Sequence, residues 1–174
     1  MTLEAILIAA ILSLPAPWFK PGDNPETPEQ YKARATVIAK AIAAEVPDLR
    51  SGLMVLNLFR HESAFRLSVH TGARKGDAGQ SVCLGQNKRH RLSEAQHKAL
   101  MGTDLASTRR CAKLSHERLE RAARLCRTRH QGGAVGAYSL YGTGATCQAP
   151  WAKVRAYRFQ LLMNKWHSKL NVKP

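Results

Sequence analysis

No apolar stretch in this chain is long enough to cross a bilayer. The longest, Leu3 to Leu14, has 12 residues, whereas a spanning helix needs about 20. Cys-x-x-Cys is absent, and the four cysteines stand 28, 15 and 21 residues apart, unlike a zinc ribbon or finger. The seven histidines are scattered without metal-ligand spacing, so neither a metal nor another cofactor is expected. His61-Glu62 could open a His-Glu-x-x-His motif, but Phe65 occupies the place of the second histidine and the zinc-peptidase reading fails. Strand-like alternation never lasts more than a few residues, and no internal repeat occurs. Acidic residues are also scarce, 12 against 27 Lys+Arg.

That last imbalance gives a net charge of +15 and a pI near 10.3. It predicts a polyanionic partner: nucleic acid, an anionic membrane surface or an acidic cell wall. A hydrophobic share of 44% over 174 residues supports one domain with a real core and excludes a wholly disordered basic tail. Four cysteines in a small basic chain read as one or two disulfides in an oxidising compartment, or as four buried thiols.

Leu3–Leu14 followed by Pro15-Ala16-Pro17 has the length of a signal-peptide core, but Glu4 and the lack of Lys or Arg before it give the wrong charge for export. Three readings stay open: a signal-like or membrane-contacting segment, a short anchor, or a first helix lying on the core. Residues 15–30 hold five of the eight prolines and read as a linker, which puts an N-terminal apolar segment and linker at 1–30 and the main domain at 31–174. Thr27 with Glu29-Gln30 and Pro28 predicts a helix start, and Ala35, Ile38, Ala39, Ile42 and Val46 recur at helical spacing behind it. Leu49 to Arg60 is apolar nearly all round, the pattern of a helix buried on most sides.

From His70 to Arg91 the chain is polar and Gly-rich, a loop with room for short strands. Leu92–Met101 predicts a weak helix, Asp104 caps a long one reaching about Arg129, and Gly132-Gly133 stops it. A small-residue helix, Ala134 to Leu140, runs into Tyr141-Gly142-Thr143-Gly144, and Val154–Leu170 forms the last helix. The fold expected is mostly α with a polar loop and short β region.

One glutamate is oddly placed. Glu62 follows the most apolar helix, and a carboxyl at the edge of an apolar core has its ionised form destabilised by desolvation, which suits a proton donor. The alternative is a carboxylate paired with one of the 27 basic residues.

Glu62-Ser63-Ala64-Phe65 resembles the E-S-x-F motif of soluble lytic transglycosylases, in the lysozyme-like superfamily. Ser81-Val82-Cys83-Leu84-Gly85-Gln86 is similar to their second motif, S-x-G-L-x-Q, and Leu140-Tyr141-Gly142-Thr143-Gly144 to the third, A-Y-N-A-G. Order and spacing agree over residues 31–160. Cys83 and Gly142 depart from the motif Gly and Asn, and Thr108 stands where a middle motif has Gly. The resemblance implies a lysozyme-like helical domain with Glu62 as the single catalytic acid/base. It also implies Ser63, Ser81 and Gln86 on the sugar cleft, and Tyr141 facing the glutamate, with Tyr138 as the alternative register.

The implied reaction cleaves the β-1,4 bond between N-acetylmuramic acid and N-acetylglucosamine in peptidoglycan. Glu62 protonates the leaving oxygen, then deprotonates the muramyl 6-hydroxyl, which closes a 1,6-anhydro ring. Intramolecular attack removes the need for the second carboxylate of an ordinary glycosidase. Asp77, 15 residues after Glu62, is the one alternative second carboxylate. In the cleft it would make the protein an inverting muramidase; otherwise it caps its own Gly-Asp-Ala-Gly turn.

Arg118, Arg121, Arg124, Arg127 and Arg129 form a basic stripe, either a polymer-holding face or a solvated one whose stems cover apolar surface. A basic helical nucleic-acid-binding protein is the rival class. No compact helix-turn-helix supports it, and it gives Glu62 no task, so nucleic acid is not the expected partner. A monomer acting on wall glycan outside the cytoplasm is expected. Cys111 and Cys126 lie about 22 Å apart along one helix and cannot join each other. That leaves Cys83–Cys111 with Cys126–Cys147, which closes the shorter loops, or Cys83–Cys126 with Cys111–Cys147.

Overall fold

A computed structural model describes residues 1–15, 17, 25–74, 80–88 and 92–170. Most of the linker, Asp77 and the Arg89-His90-Arg91 triplet lie outside the described residues. Within them the chain forms eight helices and one small sheet: α1 Leu3–Leu12, α2 Pro28–Glu45, α3 Leu49–Ser63, α4 Leu67–His70, β1 Ser81–Val82, β2 Asn87–Lys88, α5 Glu94–Ala99, α6 Leu105–Thr128, α7 Gly133–Thr143 and α8 Pro150–Leu170. The strands are antiparallel, Ser81 opposite Lys88 and Val82 opposite Asn87.

Local chemistry sets the helix starts. Thr27 Oγ1 accepts from Gln30 N at 3.2 Å while Gln30 Oε1 accepts from Thr27 N at 2.9 Å, a reciprocal cap with Pro28 in the first turn. Asp48 Oδ1 caps α3 through Ser51 N at 2.7 Å, and Asp104 Oδ1 caps α6 through Ser107 N at 2.9 Å. α8 begins at Pro150, earlier than the apolar pattern from Val154 indicates, because proline has no N–H to lose in a first turn. α7 continues through Tyr141 to Thr143 and ends at Gly144, whose φ of 70° needs no Cβ relief.

α3 is the hub. Every residue from Gly52 to Phe59 is buried, and α1, α2, α6 and α8 surround it. Its all-round apolarity has this cause. α1 lies on the same core: Ile6, Leu7, Ala10 and Ile11 are buried against α2 and α3. The packing of residues 3–12 on α2 and α3 is that of a first helix lying on the core. Among the described residues no helix is long and apolar enough to cross a membrane.

Two disulfides tie α6 to its surroundings, Cys83–Cys111 and Cys126–Cys147, with Cα separations of 6.2 and 5.6 Å. This is the pairing that closes the shorter loops. The first fixes the β1–β2 turn to α6, the second fixes the end of α6 to the segment after α7.

Candidate active site

Glu62 lies in the last turn of α3, at the point where the central helix leaves the core. The chain then makes an unusual exit. Ala64 and Phe65 both have left-handed backbone, φ 50° and 54°, which non-glycine residues adopt at a cost of about 1 kcal/mol or more each. Three contacts hold this turn. Ser63 Oγ donates to Phe59 O at 2.6 Å and accepts from Phe65 N at 3.2 Å. From α2, the buried Arg34 donates through Nη2 to Phe65 O at 2.7 Å. Arg34 is itself clamped by Glu26, whose two carboxylate oxygens lie 2.6 and 2.5 Å from Nε and Nη2. The backbone directly after Glu62 is thereby held from α3 itself and from α2. Ser63 is fully buried, and both bonds of its hydroxyl serve this turn.

The Glu62 side chain does not stand alone against apolar neighbours. Its Oε1 accepts a hydrogen bond from Arg155 Nη1 of α8, so the paired-carboxylate alternative is the observed arrangement. Both side chains stay partly exposed, 18% for Glu62 and 19% for Arg155. The Arg155 guanidinium also lies over the Trp151 ring, 4.3 Å from its centroid. Trp151 in turn fills the space over Gly142, where any Cβ would collide with the indole. This accounts for glycine at a position where the resemblance leads one to expect asparagine.

Tyr141 approaches from α7. Its hydroxyl donates to Gly85 O at 2.7 Å, with Asn87 Oδ1 3.2 Å away. Burial of that hydroxyl raises its pKa well above the usual range; a hydrogen bond with Ser115 offsets part of this, and the negative charge of Glu62 raises it further. Tyr141 thus touches the β1–β2 turn directly, and its hydroxyl lies within reach of the Glu62 charge. Tyr138, one helical turn earlier, is fully buried: its hydroxyl donates to Met54 O at 3.1 Å and accepts from Asn57 Nδ2 at 3.0 Å, and its ring meets Phe159 edge-on.

The β1–β2 turn is held from below. Cys83, φ 56°, adopts the backbone conformation that glycine prefers, and its disulfide to Cys111 anchors it. Gln86, φ 49°, folds back on the turn, Nε2 donating to Cys83 O at 3.0 Å. Ser81 is buried in β1. A Cβ on Gly85 would strike Ser115 Oγ of α6. The buried Asn87 links three elements: Nδ2 donates to Ser115 Oγ at 3.1 Å, Oδ1 accepts from Arg118 Nη1 at 2.8 Å, and Oδ1 lies 3.2 Å from the Tyr141 hydroxyl. Arg118 is thus drawn out of the basic stripe, whereas Arg121, Arg124, Arg127 and Arg129 are exposed.

His61, beside Glu62, is pushed down to about 4 by burial and then by the charges of Arg155, Arg158 and Arg60. It is neutral at ordinary pH and acts as no cation here. Among the described residues no three His, Cys, Asp or Glu side chains gather as a metal site would require. Sequence reading missed Arg155, Trp151 and Asn87. Arg155 and Trp151 lie in α8 far along the chain from Glu62, and Asn87 follows the second motif directly, where its proximity to Gln86 was the one available signal. Compared with family models, curated proteins and solved structures, the chain matches none.

Proposed function

We propose that the chain is a peptidoglycan-cleaving enzyme with a lysozyme-like helical domain, in which Glu62 is the single acid/base. It breaks the β-1,4 bond between N-acetylmuramic acid and N-acetylglucosamine and leaves a 1,6-anhydro end. The observation that carries the reading is convergence. Glu62 at the end of α3, the Gly85 turn between β1 and β2, and Tyr141 on α7 come from three separate motifs, 79 residues from first to last (Glu62 to Tyr141). Yet Tyr141 bonds the turn and feels the glutamate's charge. A strained, over-held turn directly after Glu62 adds to it, since such strain concentrates at functional sites.

The chemistry then assigns one task to each group. Glu62 gives its proton to the glycosidic oxygen as the bond to the muramyl anomeric carbon breaks. As carboxylate it takes the muramyl 6-hydroxyl proton, and that oxygen closes on the anomeric carbon. Tyr141 and Gln86 border the sugar. No second carboxylate is required on this route. Two disulfides suit an oxidising, extracytoplasmic setting, and the net charge of +15 suits capture of an anionic wall polymer.

Digestion of purified sacculi tests the reading. The wild type should release fragments with anhydro ends, seen by mass, and Glu62→Gln should release none while keeping its circular dichroism spectrum. Lysis by Glu62→Gln at the wild-type rate would overturn the assignment. Fragments with only reducing ends would turn it toward the inverting muramidase that uses Asp77.

A further inference from the structure

We infer that Arg155 is an exchangeable partner of Glu62 and the residue that selects glycan carrying peptide carboxylates. This rests on the reading of Glu62 as the acid/base. A glutamate that donates a proton cannot at that moment be the anion of an ion pair, so its partner must go elsewhere. The location of the pair allows this. Arg34–Glu26 is sealed, 5% exposed on each side, whereas Arg155 and Glu62 keep 19% and 18% of their side-chain surface and meet solvent.

Arg155 also has a second resting place. Its guanidinium already lies on the Trp151 ring, 4.3 Å from the centroid, and that contact does not depend on Glu62. Trp151, 38% exposed, is seated on Gly142 next to Tyr141, at the edge of the same site. A guanidinium on an indole presents its planar fork of donors for a carboxylate.

The anion we assign to that fork comes with the ligand, because the described surroundings of the pair are basic. From α3 the charged or titratable groups around the pair are Arg60 and His61, from α8 Arg158, from α6 Arg118 and from α7 Tyr141. Among the described residues that act on His61 and Tyr141, Glu62 is the one carboxylate. Peptide side chains of wall glycan carry carboxylates, whereas a bare chain of N-acetylglucosamine carries none. As the guanidinium turns to the peptide carboxylate, Glu62 takes up a proton delivered by hydronium or a buffer acid of the solvent, to which the partly exposed pair is open, and becomes the acid. Arg155 keeps its own proton throughout.

Two soluble substrates isolate this role: wall glycan fragments, and the same fragments with their carboxyls converted to methylamides. The wild type should show a KM about tenfold lower for the native fragments, the value of one charge-assisted hydrogen bond. Arg155→Gln should abolish that preference and Arg155→Lys should retain part of it, because the charge remains and the fork is lost. A preference unchanged in Arg155→Gln, or both substrates weakened by one common factor, overturns the inference while leaving Glu62 in place. Should the wild type cleave neither substrate, the acid/base reading falls. Calorimetric binding of the two fragments to wild type and to both Arg155 variants then decides Arg155 separately. A binding preference lost with Arg155 supports it, and equal binding of native and amidated fragments to the wild type overturns it.

Discussion

Acid should unfold this protein through His70. The residue ends α4 with no exposed surface, and burial pushes its imidazole down to about 3, the Arg34 charge adding to this and Asp104 opposing it. Arg34 can only donate, so Nδ1, 3.4 Å from Arg34 Nη1, is the acceptor and the proton sits on Nε2. Nε2 donates to Thr108 Oγ1 at 2.9 Å, and Thr108 passes its own proton to Asp104 O at 2.7 Å. The folded protein therefore holds His70 neutral, while the unfolded chain protonates it below about 6.5. Stability from this group is fully present above 6.5 and is lost as pH falls toward 3, at about 1.4 kcal/mol per pH unit. At pH 4.5 the loss is about 3 kcal/mol, a large part of the roughly 5–15 kcal/mol a domain has. His61 adds a smaller loss of the same sign, since it is partly exposed. Urea unfolding followed by circular dichroism between pH 7.5 and 4.5 measures the slope. His70→Gln should be less stable at pH 7.5 yet flatter with pH, by about one proton. An equal slope in wild type and variant would refute the buried neutral imidazole. The site is affected too, because a charged His70 opposes Arg34, the group that holds Phe65 O behind Glu62.

Replacing Cys126 and Cys147 together by Ala frees a loop of sequence separation 21. Loop-closure entropy puts the loss at about 3 kcal/mol, or roughly 6–12 °C in Tm by scanning calorimetry, and a shift under about 2 °C would contradict it. Ala64→Gly should raise stability by about 0.5–1 kcal/mol, because the position already has φ 50°; a lowered urea midpoint would show that the Cβ contributes packing that outweighs the strain. Gly142→Ala should cost about 1–3 kcal/mol by driving a methyl into the Trp151 ring, and should lower wall lysis as the indole and Arg155 shift. Unchanged Tm and unchanged lysis would show that the ring moves aside freely.

What was legible in the sequence was whatever a short window decides. The Thr27 box and the Asp104 cap each depend on residues three apart, and the structure begins α2 and α6 there. All-round apolarity announced α3 as buried on most sides, and the length of one helix excluded Cys111–Cys126, leaving two pairings of which the one with the shorter loops is present. What stayed hidden depends on long reach. Arg155 is one of 27 basic residues and stands 93 positions from Glu62, so nothing local marks it as the glutamate's partner. The balance at Glu62 between desolvation and pairing therefore had to be read from tertiary structure. Tyr138 and Tyr141, three residues apart, look interchangeable in sequence. One is sealed under Asn57 and Phe159, and the other reaches Gly85 because α7 runs one turn further than its small-residue pattern indicates.

The positions where the chain departs from the motifs it resembles share one logic. Cys83 takes a left-handed backbone that glycine would adopt freely, and a covalent bond to α6 holds it there. Gly142 gives up a side chain, and Trp151 fills the vacated space with an aromatic face that carries Arg155. Thr108 adds bulk on α6, and its hydroxyl becomes the acceptor for buried His70, which steadies Arg34 and the turn behind Glu62. Each departure is coupled to a partner on another element, which explains why reading the positions singly makes them look like errors in the motif. Changing one member of such a couple alone leaves a strained backbone, a void or an unpartnered buried polar group, so single and paired substitutions there should be non-additive.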